Sequence, residues 1–277
     1  MSEQIIQWRG TVGVGDTMQA LNVCHYWSRK NKRRVRLQMN WNHGPDFIYH
    51  PDDPETIHHR MDFIHKKYFQ NDRVIVEHIF DSPNFKFRHW DYDKVRVNFV
   101  DNNIFDKGTR TVSTGAWFGA EWLFDKKEFV KPKKKVVVFH HGKNAEPPRR
   151  WKRILEYKDW QRAIHIMQGW HEYDVVELDY RTPINVAYRQ IQTCEFVICY
   201  DGMWHWIARN FLKPMLIPSH EGITSYNTPN AFKAKDKETF FKMLEPDIDK
   251  FRLNTLPILQ ERVDEWNKKT KARIKYE

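Results

Sequence analysis

The almost wholly apolar run at residues 135–140, Lys-Val-Val-Val-Phe-His, limits the fold of this chain more than any other segment. A strand with apolar side chains on both faces must be covered on both faces, as the strands of parallel sheets are. The segments that follow continue an alternation of strands and helices, which is typical of α/β folds. The predicted strands are 135–140, 174–178, 196–200 and 214–218, and the predicted helices are 157–167, 184–193, 203–211, 236–244 and one within 247–271. The second half therefore predicts a doubly wound α/β domain.

The first half alternates in the same way, with predicted strands at 5–8, 35–39, 74–79 and 95–99 and predicted helices at 16–30 and 56–69. The charged segment 125–135 contains a proline and has no periodicity, so it is the predicted linker. We expect two Rossmann-like, doubly wound α/β domains that face each other across a cleft. The predicted divisions are an acceptor-binding domain at 1–130, a nucleotide-sugar-binding domain at 131–250, and a C-terminal helix at 251–277, whose return to the first domain is left open.

The composition excludes several classes of protein. The chain has 277 residues, of which 15% are aromatic, and three cysteines, Cys24, Cys194 and Cys199. The aromatic content argues against disorder, and three cysteines are too few for a disulfide framework or a zinc cluster. The sequence lacks a run of about 18 apolar residues, so we expect no membrane span. The amino-terminal residues lack the pattern of a secretory signal. We therefore expect a cytoplasmic protein, in the host cytoplasm if the chain is viral.

The positive charge is clustered. Lys and Arg number 46 and Asp and Glu 36, for a net charge of +10. The excess is concentrated in the segments 29–36, 131–135, 149–153 and 268–275. Such clusters fit a polyanionic partner, which could be a nucleic acid, an anionic lipid surface or a phosphorylated ligand. A solvated basic surface without a partner is the alternative interpretation.

A glycine-rich segment follows the first predicted strand. Gly10, Gly13 and Gly15 are expected to allow positive φ angles and a close approach of the backbone to a ligand. Asp16 stands where the cap of the next helix is predicted, near the carboxyl end of the strand, where α/β folds bind their ligands. The glycine spacing differs from the dinucleotide fingerprint, because no third glycine follows Gly15. A capped helix after a tight turn is the alternative interpretation.

A second candidate segment is Asp201-Gly202-Met203-Trp204-His205, which follows the predicted strand 196–200 and opens a helix. A helix N-terminus offers free N–H groups and the positive end of the helix dipole, which suit a phosphate group. Gly202 would permit a close approach, and His205 could donate a hydrogen bond to a phosphate or sugar oxygen. Helix capping by Asp201 with a packed histidine is the alternative.

Residues 178–214 resemble the nucleotide-sugar domain of heptosyltransferase-type glycosyltransferases. The hallmark of that family is Asp-Ser/Thr-Gly-x-x-His, an apolar helix and Lys/Arg-Pro, and this chain has Asp201-Gly202-x-x-His205 and later Lys213-Pro214. Gly15-Asp16 is similar to a Gly-Asp pair that opens the family's first helix. This chain departs from the pattern because Tyr200 occupies the position of the family's acidic residue and Asp201 that of its Ser/Thr.

The resemblance implies a GT-B fold and inverting transfer from a nucleoside diphosphate sugar, with no required metal and no other cofactor. It places the catalytic base on Asp16. It places the phosphate contacts on Gly202 and His205, and a basic residue at the diphosphate on Lys143, Arg149 or Arg150. Gly15, Asp201 and His141, which follows a buried strand, complete the candidate donor-binding residues. We expect a uridine diphosphate sugar as the co-substrate.

The expected acceptor is a hydroxymethylated pyrimidine in DNA, as in bacteriophage DNA glycosylation, because basic clusters and aromatic side chains suit phosphates and flipped bases. Arg33, Arg34 and Trp117 are the candidate acceptor-binding residues. Two alternatives stay open: a glycosyltransferase for a cell-surface saccharide or lipid-linked sugar, and a non-catalytic nucleic-acid-binding protein on a transferase-like fold. The sequence leaves the oligomeric state open.

Overall fold

The computed structural model divides the chain into two compact units, with the boundary between Asp125 and Lys126. This boundary falls at the first residue of the predicted linker. The structure describes residues 3–8, 14, 15, 18, 21, 24, 25, 28, 31–41, 46–48, 52–67, 74–80, 94–101, 104–105, 111–113, 124, 126–140, 154–200, 202–211, 213–218 and 231–244.

The first unit is built on a sheet of six strands. Its strands are β1 (Glu3–Trp8), β2 (Arg34–Trp41), β3 (Val74–Phe80), β4 (Lys94–Asp101), β5 (Ile104–Phe105) and β6 (Thr111–Ser113). The order across the sheet is β3-β2-β1-β4-β5, and β6 also pairs with β4. β1, β2 and β3 are parallel, whereas β4 runs antiparallel to β1. The first sheet is therefore mixed.

Two helices accompany this sheet among the described residues. The first, α1, includes positions 14, 15, 18, 21, 24, 25, 28 and 31, and the second is α2 (Ile57–Lys67). The described α1 positions from 14 to 28 recur at helical spacing, and all of them except Gly15 are buried. α1 already includes Val14 and Gly15, so the prediction that the helix starts at Asp16 is wrong. Gly15 lies in the helix and not in a positive-φ turn.

The end of α1 is closed by a backbone turn. Lys32 has a φ of 52°, in the left-handed region that commonly ends a helix. The Arg33 N–H donates to the Ser28 carbonyl at 3.3 Å, and the Ser28 hydroxyl donates to the Arg33 carbonyl at 2.7 Å. These bonds fix the point at which the chain leaves α1 and enters β2.

The second unit is built on a sheet of five strands flanked by helices. Its strands are β7 (Lys135–Phe139), β8 (Asp174–Leu178), β9 (Phe196–Cys199), β10 (Met215–Pro218) and β11 (Ala231–Ala234). Its helices are α3 (Tyr157–Gly169), α4 (Ile184–Thr193), α5 (Met203–Asn210) and α6 (Lys237–Leu244), and a short 3₁₀ turn spans Lys126–Glu128. All described strand pairs of this sheet are parallel, in the order β11-β10-β9-β7-β8.

The core of the second unit lies against three central strands. Every residue of β7, β9 and β10 is buried, as the apolar sequences of these strands predicted. Helices α3 and α6 contribute large side chains to the same core, and the Lys237 ammonium of α6 forms an ion pair with Asp159 of α3. The core includes Val136, Val138, Trp160, Ile164, Phe196, Ile198, Leu216 and Phe240.

The α/β class is confirmed, and so is the parallel sheet of the second half. The strand 174–178 and the helix 184–193 have the predicted bounds, and the other predicted elements within the described residues, apart from the start of α1, shift by one or two residues. β5, β6 and β11 were not predicted, and the helix predicted within 247–271 lies outside the described residues. Where the chain is described, its helices are too short or too polar to span a bilayer.

Candidate functional site

The carboxyl edge of the second sheet contains a topological switch point. In chain order the strands are arranged 2-1-3-4-5, so the chain passes from β7 to β8 on one side and then crosses back over β7 to β9 on the other. In open α/β sheets, ligands bind outside the carboxyl ends of the strands at such a point. β7 and β9 pair directly, with Phe139 opposite Cys199. The residues that follow these strands, His140 and Tyr200, therefore emerge side by side.

His140 is held in place at this edge. Its side chain is buried, and its Nε2 lies 2.5 Å from Oε1 of Glu177, near the end of the neighbouring strand β8. The same Glu177 oxygen accepts a hydrogen bond from the Gln161 amide at 3.1 Å. The edge of the His140 ring also contacts the Tyr157 ring, with centroids 5.5 Å apart. The imidazole is thus oriented by a carboxylate that is itself partly exposed.

Tyr200 anchors the end of β9. Its hydroxyl donates to the Leu155 carbonyl at 3.1 Å and accepts a hydrogen bond from the Trp160 indole N–H at 3.2 Å. The rings of Tyr200 and Trp160 also contact each other in a tilted arrangement, with centroids 4.8 Å apart. A buried hydroxyl with both a donor and an acceptor partner fixes the direction in which the chain leaves the strand. Tyr200 therefore has a structural role at this strand end.

Gly202 makes the turn into α5 with a backbone that other residues rarely adopt. Its φ is 153° and its ψ is −158°, in a region that is essentially restricted to glycine. Its carbonyl accepts the first helical bond, from the Trp206 N–H at 3.2 Å. Among the described residues, a β-carbon added at Gly202 would meet no atom within 4 Å, so none of them fills the space beside it. The first N–H groups of α5 have no helical acceptor and carry the positive end of the helix dipole.

The first turn of α5 is packed into the second unit. His205 is only 1% exposed and lies against the Trp206 ring, with centroids 4.9 Å apart. Trp204 packs on Phe139 of β7 at 5.0 Å. These contacts hold the start of α5 close to the carboxyl end of β7. A direct contact of His205 with a donor phosphate stays a prediction.

The other predicted site residues divide into two groups. Gly15, Arg33 and Arg34 lie in the first unit. Gly15 is near the start of α1, whereas Arg33 and Arg34 follow its end, about 25 Å away for a helix of this length. Arg34 pairs with Glu3 at the amino edge of the first sheet, so the structure does not bring these arginines to Gly15. The second group, which lies outside the described residues, contains Asp16, Trp117, His141, Lys143, Arg149, Arg150 and Asp201.

The sequence reasoning missed the partners of the switch-point residues. Glu177 was not singled out, although an acidic residue near the end of a predicted strand is a usable signal. The bond between Trp160 and Tyr200 left no signal, because the two residues are 40 positions apart. Within the described part of the chain, no group of three or more His, Cys, Asp or Glu side chains could hold a metal ion.

Comparisons with known proteins find only distant structural similarity. No family model and no curated protein sequence matches it. Among solved structures it is similar to the bacterial iron-containing dodecameric glycosyltransferase TibC from enterotoxigenic E. coli H10407, with a TM-score of 0.49 and 12% identity over 95% of this chain and 75% of that one. It is also similar to the E. coli heptosyltransferase WaaC with ADP, with a TM-score of 0.41 and 11% identity over 98% of this chain and 99% of that one. Likenesses at this distance transfer no residue role to this chain.

Proposed function

We propose that the protein is an inverting glycosyltransferase that takes a sugar from a nucleoside diphosphate sugar. The observation that carries the proposal is the switch point of the second sheet, where β7, β9 and the start of α5 converge. There the Gly202 turn, beside which no described residue fills the space, leads into the N–H groups of a helix start. Phosphate oxygens suit this combination of free donors and positive dipole.

The proposed chemistry needs a base, a stabilised leaving group and little water. In the proposal Asp16 takes the proton of the acceptor hydroxyl as the oxygen attacks the anomeric carbon. The bond from that carbon to the diphosphate breaks in the same step, and the configuration inverts. The N–H groups after Gly202 and the basic residues Lys143, Arg149 and Arg150 would stabilise the charge on the departing diphosphate.

The proposed acceptor is the hydroxymethyl group of a modified pyrimidine in DNA. The net charge of +10 and its concentration in short basic segments support a polyanionic acceptor. Arg34 is exposed and Arg33 partly exposed in the first unit, as side chains that meet phosphates must be. A saccharide or lipid-linked acceptor and a non-catalytic nucleic-acid-binding role are the outcomes that would replace this proposal.

Donor binding is tested with two glycine variants. Gly202→Ala and Gly169→Ala each add a methyl group that meets no atom of the described residues within 4 Å, and of these two glycines only Gly202 has a positive φ. Native-state binding of uridine, guanosine or adenosine diphosphate must raise the melting temperature. We expect one nucleotide to stabilise the wild type and Gly169→Ala, and to stabilise Gly202→Ala much less. Equal stabilisation of all three proteins would contradict a donor site at this turn.

Transfer is tested by incubating the protein with a panel of nucleotide sugars and hydroxymethylated DNA, followed by mass spectrometry of the nucleosides. We expect a sugar mass on the modified pyrimidine, and about 100-fold less or slower transfer with Asp16→Asn if that carboxylate is the base. Transfer to a saccharide acceptor alone would refute the DNA acceptor. DNA binding without transfer to any acceptor would indicate the non-catalytic role.

A further inference from the structure

A basic groove runs along one side of α4, from its first turn to Thr193 beside the start of β7. It has a volume of about 510 Å³ and lies between the segment that enters β7 and the side of α4. The groove's Lys135 begins β7, whereas the proposed donor site follows the end of that strand at Phe139, about 13 Å further along. The groove is lined by Lys133, Lys135, Asn185, Val186, Arg189, Gln190 and Thr193.

The lining brings three cationic side chains together. Lys133 and Arg189 are exposed, and within the described residues neither forms an ion pair. Lys135 is buried, and its ammonium donates to the Gln190 amide oxygen at 2.7 Å and to the Thr193 hydroxyl at 2.5 Å. The described lining contains no acidic residue. The groove therefore concentrates positive charge around a fixed ammonium group.

The positive charge of the groove is poorly compensated. Burial lowers the pKa of the Lys135 ammonium, and Cys194 and Asp174 oppose that shift. The charges of Lys133 and Arg189 lower the pKa of Lys135 further. An anion in the groove would relieve this repulsion, since an opposite charge nearby favours the charged form of a lysine.

We propose that this basic groove binds a phosphate group of a phosphorylated ligand. Arginine offers a planar fork of donors that matches phosphate oxygens, and lysine acts as a point charge. The half-exposed Val186 adds an apolar wall for the carbon part of such a ligand. A volume of about 510 Å³ lies within the range of small-molecule sites. The ligand phosphate can belong to a free small molecule or to the backbone of a nucleic acid.

The experiment compares two charge reversals. Arg189→Glu changes the groove, and Lys242→Glu makes the same change of net charge on α6, at an exposed position outside the groove. Binding of sodium pyrophosphate is measured by calorimetry, and binding of a short duplex DNA by fluorescence anisotropy at several salt concentrations. Acetylation of Lys133 is followed by mass spectrometry with and without each probe.

We expect Arg189→Glu to weaken binding of at least one probe about tenfold, and Lys242→Glu to leave it near the wild-type value. The bound probe should also protect Lys133 from acetylation. A weaker pyrophosphate complex alone identifies a free phosphate ligand. A weaker DNA complex, with a salt slope reduced by about one, identifies a backbone phosphate. Equal effects of the two reversals, or no protection of Lys133, would overturn the proposal.

This test is independent of the proposed function. The nucleoside diphosphate assay addresses the Gly202 turn and not the groove. If the groove binds phosphate but the protein binds no nucleoside diphosphate, the groove proposal holds and only the transferase proposal is refuted. If Arg189→Glu binds the nucleoside diphosphate normally but no longer binds phosphate in the groove, the two sites are shown to be separate.

Discussion

The central strands of the second sheet are buried along their whole length, whereas the described side chains of β1 and β2 in the first sheet alternate between buried and more exposed positions. In β2, Val35, Leu37 and Met39 are buried, while the intervening Arg36 and Gln38 are partly exposed. Arg36 lies between carboxylates of the neighbouring strands: its Nε is 2.9 Å from Glu3, and its Nη1 is 3.9 Å from Glu77. The second sheet has its polar groups at the ends of its strands, whereas the first sheet also has polar groups on a partly exposed face.

The difference has a consequence for where ligands can bind. A sheet covered on both faces leaves only its edges and loops for chemistry, and the proposed donor site of the second unit lies at such an edge. The first sheet has a partly exposed face in addition, with charged side chains on neighbouring strands. An antiparallel strand, β4, also occupies the side of β1 where the second sheet has the parallel strand β9 beside β7. The two units are thus both α/β but present different surfaces to ligands.

The largest expected effect comes from placing a carboxylate on each sheet. Ile198 in β9 is fully buried, so Ile198→Glu should cost more than about 4 kcal/mol of the free energy of unfolding. Ile75 in β3 is 39% exposed and pairs with Arg36, so Ile75→Glu should change that free energy by less than about 0.5 kcal/mol. Urea denaturation followed by circular dichroism measures both. Similar losses in the two variants would refute the difference between the sheets.

The next effect tests the anchor of β9. Tyr200→Phe removes a hydroxyl and leaves the Trp160 indole N–H and the Leu155 carbonyl without that partner, so we expect a loss of about 2 kcal/mol. Tyr157→Phe is the matched control, because within the described residues the Tyr157 hydroxyl makes no hydrogen bond. Urea denaturation of the two variants gives the difference. A Tyr200→Phe protein as stable as Tyr157→Phe would show that this hydroxyl does not hold the strand end.

Local patterns were enough to predict most elements of both units. Apolar runs and helical spacing predicted the strand at 174–178 and the helix at 184–193 to the residue. The four-residue strand β11 was missed because Ala-Phe-Lys-Ala has little β-propensity and no clear alternation. The start of α1 was misplaced because the glycines and Asp16 fit the pattern of a turn followed by a helix cap, whereas Val14 and Gly15 are already helical.

The arrangement of the elements was beyond the reach of local patterns. The antiparallel direction of β4 is a property of its pairing with β1, and the alternation of its side chains is the same in either direction. For the candidate site, the sequence predicted the strand end and the turn at Gly202. It did not predict the contact of His140 with Glu177 or of Trp160 with Tyr200, because these pairs form only when distant strands and helices assemble.

The third prediction uses a buried thiol in each unit. Burial raises the pKa of Cys194 to about 11, against the opposing charges of Lys213 and Lys135, and burial also raises the pKa of Cys24. An unfolded cysteine titrates near pH 8.5, so above that pH the unfolded chain holds fewer thiol protons than the folded one. Each buried thiol therefore stabilises the fold fully below about pH 8.5 and loses that contribution as the pH rises toward the folded value.

We expect the free energy of unfolding to decrease as the pH rises above about 9. Cys194 should account for about 1.4 kcal/mol of this decrease per pH unit. Cys194→Ala should remove that share for the second unit, and Cys24→Ala should do the same for the first. Urea denaturation at a series of pH values from 7 to about 10.5 measures the slopes. If neither variant flattens the pH dependence, the thiols are not protected from water as their burial implies.

The smallest expected effect belongs to the polar face of the first sheet. Arg36 and Glu3 form a charged hydrogen bond on a partly exposed surface, and this bond raises the pKa of Arg36. Exposed pairs contribute little because water and salt screen them. A double-mutant cycle with Glu3→Ala and Arg36→Ala should give a coupling below every effect above, and salt at about 1 M should abolish it. A coupling that persists in high salt would mean that this face is covered in solution, which would remove the contrast between the two sheets.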